Sequence, residues 1–167
     1  MDWSVVLEAK ARARKRTIVF PEGDNPIIRE AAALLAGQGL LEPVLIQSRA
    51  HATPPEEASR SASPAEGPKV RPMDDQGLEA FAAQLCAERD LPLRICRRMV
   101  AQPLLFAAMM VRNGEADGMV AGIDCPTGEV ILAGGMGIGL RQGMTIPSSF
   151  YVMDVPGFEG SENGCLV

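Results

Sequence analysis

The chain has 167 residues, of which 47% are hydrophobic, 22% are charged and 4% are aromatic. This length suits one domain, and the apolar share is large enough for a core. The scarcity of aromatic residues favours helices packed on a sheet over an aromatic-rich β-sandwich. The net charge of −5 argues against nucleic acid as a partner.

The N-terminus and the hydropathy pattern indicate neither export nor membrane insertion. Asp2 stands where a signal peptide carries cations, and no apolar run approaches the ~18 residues of a membrane span. The four cysteines lack the spacing of a disulfide framework, so we interpret them as reduced thiols of a cytoplasmic protein. With His51 as the single histidine, we expect no metal site.

The first third of the chain alternates between helices and short apolar strands. A helix is predicted over 4–15, and Thr17–Phe20 is predicted to be a buried strand that ends in the turn-rich sequence PEGDNP. A helix over Ile27–Gly37 and a second buried strand over Pro43–Ile46 are predicted to follow. This order is typical of a three-layer α/β fold with a mainly parallel sheet covered by helices.

The middle of the chain opens with a segment of different composition. Residues 47–68 are rich in Pro, Ser and Ala and contain no large apolar side chain, so we expect a flexible surface insert. A weak edge strand is predicted to begin at Val70. Three further helices are predicted, at Leu78–Arg89, Leu93–Val100 and Leu104–Asn113.

The last third is predicted to hold three strands and a glycine-rich helix. The strands are expected at Ala116–Ala121, Ser148–Val155 and Cys165–Val167, and the helix at Val130–Leu140. We expect residues 1–145 to form one α/β domain. Because the chain stops inside an apolar strand pattern, residues 146–167 are expected to be the first strands of an incomplete second domain.

The stretch GIDCPTGE, residues 122–129, places an acid, a thiol and a hydroxyl between a strand and a helix. Loops at the carboxyl ends of parallel strands are favoured ligand sites. Thr127 is expected at the N-cap, where its hydroxyl accepts a backbone N–H; such a helix start suits a phosphate, but a plain cap explains it equally well. Cys125 lacks the Arg of a phosphatase loop and an activating His, so we interpret it as a loop thiol.

Three other patterns each have a structural and a functional explanation. GGMGIG, residues 134–139, lacks the context of a dinucleotide loop and favours a loosened or tightly packed helix end. Glu22 and Asp24 are suited to orienting a ligand or weakly binding a cation, but turn bonds from Asp24 and Asn25 to local backbone are favoured. Guanidinium groups suit phosphate-bearing cofactors, although a solvated helix surface is favoured here for Arg89, Arg94, Arg97 and Arg98.

Three segments in this order resemble the phosphate acetyl/butyryltransferases (phosphotransacetylases). They are IVFPEGDNPIIREAAALLAGQGLLEPVLI, PLLFAAMMVRNGEADGMVAG and PSSFYVMDVPGFEGSENGCLV, and together with their surroundings they cover nearly the whole chain except 47–68. The resemblance implies transfer of an acetyl or short acyl group between coenzyme A and phosphate, with coenzyme A as a substrate and no tightly bound cofactor. It also implies a cytoplasmic homodimer with a fold like that of isocitrate and isopropylmalate dehydrogenases.

The resemblance also implies a set of site residues. The loop after GMVAG would line the substrate cleft, with Thr127 contacting the acyl phosphate. Ser148 and Ser149 match paired serines of the family, and Arg89 matches an Arg near the coenzyme. The substrate-binding residues implied in the loop are Cys125, Pro126, Thr127, Gly128 and Glu129.

Two departures from the family pattern affect the catalytic assignment. Leu132 stands where the family has an Arg, for which Arg141 would substitute, and Cys125 stands where His is common. The family residues that hold acyl phosphate and deprotonate the coenzyme thiol lie near its C-terminus, so we expect no catalytic base in this chain. The alternative is a non-catalytic module that binds acyl-CoA or phosphate, or that assembles with another chain.

Overall fold

The computed structural model describes residues 3–48, 67–151, 153–154 and 165–166. The described helices are α1 (Trp3–Ala13), α2 (Pro26–Gly37), α3 (Asp75–Arg89), α4 (Leu93–Val100), α5 (Pro103–Arg112) and α6 (Thr127–Gly137). The described strands are β1 (Thr17–Phe20), β2 (Glu42–Gln47), β3 (Lys69–Pro72), β4 (Gly118–Met119), β5 (Met153–Asp154) and β6 (Cys165–Leu166).

Four of these strands form one parallel sheet in the order β3-β2-β1-β4. Alternate residues of β1 face opposite sides of it. Phe20 packs with Leu45 and with Ala32 of α2, whereas Val19 belongs to a larger core shared with α3, α4 and α5. Helices on both faces make a three-layer α/β fold, which confirms the predicted fold class.

The strands of the sheet lie on both sides of β1, and the order in which they are added changes side after β3. From β1 the chain proceeds outward through β2 to β3, and it then returns to place β4 on the other side of β1. Parallel strands that diverge in this way leave a crevice at their carboxyl ends, and that crevice is the preferred ligand site of open α/β sheets. The loops that follow β1 and β4 meet there.

Most predicted elements are present, with shifted ends. The strand predicted at Ala116–Ala121 is reduced to β4, although Asp117 N and Val120 N still donate to the Thr17 and Val19 carbonyls of the β1 strand. The glycine-rich helix begins and ends three residues earlier than predicted. Gln47, assigned to the insert, is the last residue of β2, while 49–66, with His51, lie outside the described residues.

The strand predicted at Ser148–Val155 is wrong in its first half. Residues 148–151 carry no strand pairing and are exposed, and only Met153–Asp154 pairs with Cys165–Leu166, antiparallel to it. Over its first half, the apolar run within 148–155 pairs with no strand among the described residues. The boundary proposed between 145 and 146 stays a prediction.

Candidate functional site

Glu22 ties the loop after β1 to the loop after β4. Its carboxylate accepts hydrogen bonds from Gly122 N at 2.9 Å, from Asp124 N at 2.7 Å and from the Cys125 thiol at 3.2 Å. Gly122 has φ 121°, a conformation open mainly to glycine, and this turns its N–H toward Glu22. Burial raises the pKa of Glu22, but these hydrogen bonds outweigh it, so the pKa lies below its usual value.

Asn25 adds a second connection between the same loops. Its side-chain amide donates to both carboxylate oxygens of Asp124, at 3.1 and 2.9 Å. Its carbonyl oxygen accepts from Ile27 N at 2.9 Å and caps α2, as turn chemistry predicts. One residue therefore starts a helix and orients the acid of the loop after β4.

Asp24 connects the loop after β1 to the end of β2. Its carboxylate accepts from the backbone N–H and the hydroxyl of Ser48, at 3.1 and 2.5 Å, just after β2. Arg29 lies 3.7 Å from the same carboxylate. Because β1 and β2 are parallel neighbours, their carboxyl ends place Asp24 and Ser48 together, although they are far apart in sequence.

Cys125 is a protonated thiol. Burial and the adjacent Glu22 carboxylate raise the pKa of Cys125 to about 11, since both disfavour the thiolate. The thiol donates to Glu22. This state agrees with a loop thiol and argues against a nucleophile, as the sequence indicates.

The predicted N-cap at Thr127 is displaced by one residue. Pro126 occupies the cap position in an extended conformation, with no side-chain hydrogen bond, and Thr127 is the first helical residue. The amides of Glu129 and Val130 donate to the Pro126 carbonyl. The exposed Thr127 hydroxyl is therefore not engaged as a cap.

Three adjoining cavities, together called the groove, lie beside these loops, α6 and α4. Its first section, the loop cavity, has a volume of about 320 Å³ and includes Glu22, Asp124, Cys125 and Glu129 in its lining. The second section, the apolar trough, has a volume of about 270 Å³ and is lined by Met99, Gln102, Leu104, Leu105, Glu129, Leu132, Ala133 and Met136. The third section, the arginine cavity, has a volume of about 610 Å³ and is lined by Arg94, Ile95, Arg98, Met99 and Gln102.

Shared residues join these three sections. Gln102 lines all of them, Leu104 and Glu129 line both the loop cavity and the trough, and Met99 lines both the trough and the arginine cavity. The exposed fraction of Leu132 is 66%, so an apolar side chain is presented along the trough. The groove therefore runs from carboxylates, past apolar side chains, to arginines.

Arg94 and Arg98 differ from the arginines around them. They lie one turn apart on α4, and neither forms a hydrogen bond or an ion pair with another described residue. Arg97, between them in sequence, is 2.8 Å from Glu79. Two adjacent like charges without a counter-charge repel each other on a helix, and an anionic ligand relieves that repulsion.

Arg89 contacts the C-terminal end of α6, far from the loop that precedes this helix. Its guanidinium donates to the carbonyls of Gly135 and Met136, at 2.7 and 3.1 Å. A cation at the carbonyl end of a helix is stabilised by the helix dipole. These contacts explain the position of Arg89 without a coenzyme, and its predicted role stays a prediction.

The other predicted site residues lie in an exposed segment. Arg141, Ser148 and Ser149 are exposed, and no side-chain hydrogen bond or ion pair connects them to the loop after β4 within the described ranges. The described residues also contain no cluster of three or more His, Cys, Asp or Glu that is placed to hold a metal. None of the described helices has both the length and the apolarity needed to cross a membrane.

Comparison with known proteins identifies the family. The sequence model for phosphate acetyl/butaryl transferase matches residues 4–166. The chain belongs to this family. Its recognition from FPEG, GEADGMVAG and SSFYVMD is confirmed.

Individual relatives agree with this assignment. Phosphate acetyltransferases of Paracoccus denitrificans and Corynebacterium glutamicum are 34% identical over 144 residues and 31% identical over 167 residues, respectively. The alignments cover 86% and 95% of this chain but 42% and 49% of those proteins. The chain thus spans about half the length of the curated relatives it matches.

A solved structure matches the fold as well. The phosphotransacetylase of Streptococcus pyogenes superposes with a TM-score of 0.67 at 25% sequence identity, over 87% of this chain and 45% of that one. The EutD phosphotransacetylase of Staphylococcus aureus, at 19% identity and a TM-score of 0.65, shows the same fold. The α/β architecture predicted from the resemblance is therefore confirmed for the part of the chain that the structure describes.

Two features of the site were missed by sequence reasoning. The pairing of Asn25 with Asp124 depends on β1 and β4 being neighbours in the sheet, which no local pattern indicates. The trough depends on Gln102 and Leu104, which lie where α4 ends and α5 begins. The signal available was Pro103, which predicts a helix break, but not the groove beside it.

Proposed function

We propose that this chain takes part in acyl transfer between coenzyme A and phosphate, as the part that binds coenzyme A. The observation that carries the proposal is the groove, which starts at the switch point of the sheet and ends at Arg94 and Arg98. The family match over residues 4–166 supports this function. Acyl-CoA, acyl phosphate and inorganic phosphate are the proposed ligands.

Charge sets the direction of the coenzyme in this groove. Its phosphates are repelled by the carboxylates of Glu22 and Asp124 at one end and attracted by Arg94 and Arg98 at the other. The phosphates therefore belong in the arginine cavity, and the largely apolar arm lies in the trough. This orientation brings the neutral thiol to Glu129 and the loop cavity.

The acyl phosphate is proposed to bind at the start of α6. The backbone N–H groups of Thr127 and Gly128 donate to no described residue, and the Thr127 hydroxyl adds a further donor. Cys125, which lines the loop cavity, and Pro126, which caps α6, are proposed to border this site. Because Glu22 and Asp124 repel a phosphate, a further cation and further hydrogen-bond donors are required there. Arg141 is the proposed cation and Ser148 and Ser149 are the proposed donors, whereas Arg89, at the other end of α6, is proposed to contact the coenzyme.

In the reaction, the coenzyme thiolate attacks the acyl carbonyl and phosphate leaves. Donors aimed at the phosphate stabilise the charge that develops, and a general base must take the thiol proton. Glu129 lines both the trough and the loop cavity and is unpaired among the described residues. No described residue is assigned as the base.

The alternative is a module that binds acyl-CoA or phosphate, or assembles with another chain, without catalysis. Leu132 favours it, because a family cation is absent beside the trough. The discriminating assay is thioester formation from acetyl phosphate and coenzyme A by the full chain at increasing protein concentration. Turnover that Thr127→Ala abolishes supports the enzyme, whereas coenzyme binding without turnover supports the module.

Coenzyme binding is tested by calorimetry. Arg94→Gln and Arg98→Gln should each weaken binding by about 10-fold or more, since a charge-assisted hydrogen bond contributes about 1.5–3 kcal/mol. Arg97→Gln is the matched control, because it removes the same charge from the same helix but from an arginine that Glu79 already pairs. Equal losses in all three variants would indicate a general charge effect and contradict the placement.

We also propose that the protein is cytoplasmic and forms a homo-oligomer. The free thiols of Cys86, Cys96 and Cys125 support a reducing compartment. Large apolar side chains are exposed after α6, among them Ile146, at 75%, and Phe150, at 73%, and such surface favours association. Sedimentation velocity across a concentration series tests the oligomer, and a monomer at all concentrations would contradict it.

A further inference from the structure

Two cysteine thiols meet at the turn between α3 and α4. Cys86 Sγ lies 2.5 Å from the carbonyl oxygen of Leu91, and Cys96 Sγ lies 4.0 Å from the same oxygen. The separation of the two sulfurs therefore cannot exceed the sum of these distances. Both sulfurs therefore lie beside one carbonyl oxygen, and a disulfide would form after side-chain rotation and backbone adjustment bring them to bonding distance.

The two thiols differ in accessibility. Cys86 is half-buried, whereas Cys96 is fully buried in the core. Burial raises the pKa of Cys96, and the neighbouring Cys86 raises it further. A small oxidant therefore meets Cys86 first, and Cys96 stays protonated beside it.

The turn that separates the helices holds the cysteines in place. Only Asp90, Leu91 and Pro92 connect α3 to α4, and Asp90 adopts a left-handed conformation with φ 51°. Leu91 packs against the same core as Cys96. The approach of the thiols is thus fixed by a short, packed connection, and does not depend on a long loop.

We propose that Cys86 and Cys96 form an oxidation site that a hydroperoxide converts into a disulfide. The Cys86 sulfur attacks a peroxide oxygen, which gives a sulfenic acid and, from hydrogen peroxide, one water. The Cys96 sulfur then attacks the Cys86 sulfur; the S–S bond forms, the S–O bond breaks, and hydroxide leaves with the Cys96 proton as a second water. Two thiols and one peroxide become one disulfide and two waters.

The disulfide would join α4, whose residues line the groove, to α3, whose residues do not. Arg89, in the same last turn of α3 as Cys86, holds the carbonyl end of α6. Cys96 lies between Arg94 and Arg98 on α4. Oxidation therefore fixes the α3–α4 turn while leaving the residues of the loop cavity unchanged. The site does not depend on the proposed acyl transfer, since it rests on the thiols alone.

The test is peptide mapping of the full chain after treatment with hydrogen peroxide. The protein should lose the mass of two hydrogen atoms, with residues 86 and 96 in one linked peptide. The linked form should unfold with an equilibrium constant about 100-fold smaller, because the bond closes a loop of about 11 residues in the unfolded chain. Dithiothreitol should reverse both changes.

Variants separate this pair from the other cysteines. Cys86→Ser and Cys96→Ser should each abolish the link, and Cys125→Ser should keep it. Mapping of the unmodified sequence decides the matter even if a variant fails to fold. Oxidation of Cys86 to a sulfinic acid with Cys96 still a free thiol, or a link between any other pair of cysteines, would overturn the proposal.

Discussion

Replacing Glu22 with Gln tests whether the hydrogen bonds to its carboxylate hold the loop after β4 in place. The carboxylate accepts hydrogen bonds from two backbone amides and one thiol of residues 122–125. Gln keeps one accepting oxygen, but its NH₂ group faces a backbone N–H that then loses its acceptor. Hydrogen bonds to charged groups contribute about 1.5–3 kcal/mol each, so we expect Glu22→Gln to lower the free energy of unfolding by about 2–3 kcal/mol.

The assay is urea denaturation followed by circular dichroism, with Glu30→Gln as the control. Glu30 is exposed on α2 and loses the same charge, so its variant should change stability by no more than about 0.5 kcal/mol. A loss within 0.5 kcal/mol for Glu22→Gln as well would refute the reasoning, because it would mean that the three hydrogen bonds do not hold the loop.

The pH dependence of this effect has a defined sign. The folded-state pKa of Glu22 lies below its ordinary value of 4.5, so its ionised form stabilises the fold above pH 4.5. This contribution is lost as the pH falls through the lower, folded-state pKa. The stability difference between the wild type and Glu22→Gln should therefore shrink as the pH is lowered below 4.5, and a constant difference would contradict the account.

Two further predictions concern α6 and the loop thiol. A Cβ at Gly137 would lie 2.6 Å from Ala108 Cβ, so Gly137→Ala should destabilise the fold by about 1–3 kcal/mol. Gly134 lies on the same helix with open space around it, so Gly134→Ala should be neutral or should stabilise the fold by up to about 1 kcal/mol. Thermal melts of the two variants check this difference. Because the pKa of Cys125 is about 11 rather than 9.0, its alkylation by iodoacetamide at neutral pH should be about 100-fold slower than that of an unperturbed thiol, and Glu22→Gln should speed it. Equal rates before and after that substitution would contradict the role of Glu22.

Local sequence predicted the elements whose signals are local. Thr17–Phe20 is a short run of β-branched and aromatic residues and is observed as β1 at the predicted residues. Helix α4 has the predicted bounds, with Pro92 just before it and Pro103 shortly after it. Pro103 separates two helices because proline lacks an N–H and disfavours a helical residue before it. These features need no knowledge of the rest of the chain.

The elements that failed depend on distant partners or on fine capping geometry. Ser148–Val155 contains a strand-like run of aromatic and β-branched residues, but its first half pairs with no described strand. Thr127 has a side chain that is common at N-caps, but Pro126 occupies the cap position in an extended conformation. The helix therefore begins at Thr127, one residue earlier than a cap at Thr127 would place it. Cap preferences are statistical, and one residue of displacement frees the hydroxyl from the helix.

The candidate site was predictable in position but not in detail. The sequence predicts that loops at the carboxyl ends of strands meet a ligand, and it favours turn bonds over a ligand for Glu22 and Asp24. The three bonds from residues 122–125 to Glu22 arise only because the sheet order places β4 next to β1. Sequence separation of about 100 residues hides such contacts from any local pattern.

Hydrogen–deuterium exchange of the full chain, with and without coenzyme A, tests the central claim most directly. A coenzyme that occupies the groove should slow exchange in peptides that cover 94–105 and 122–133, because these line its three sections. The separate cavity bordered by Arg71, Asp74 and Glu115 provides the internal control, and its exchange should stay unchanged. Protection at that control cavity, or no protection along the groove at saturating coenzyme A, would contradict the account.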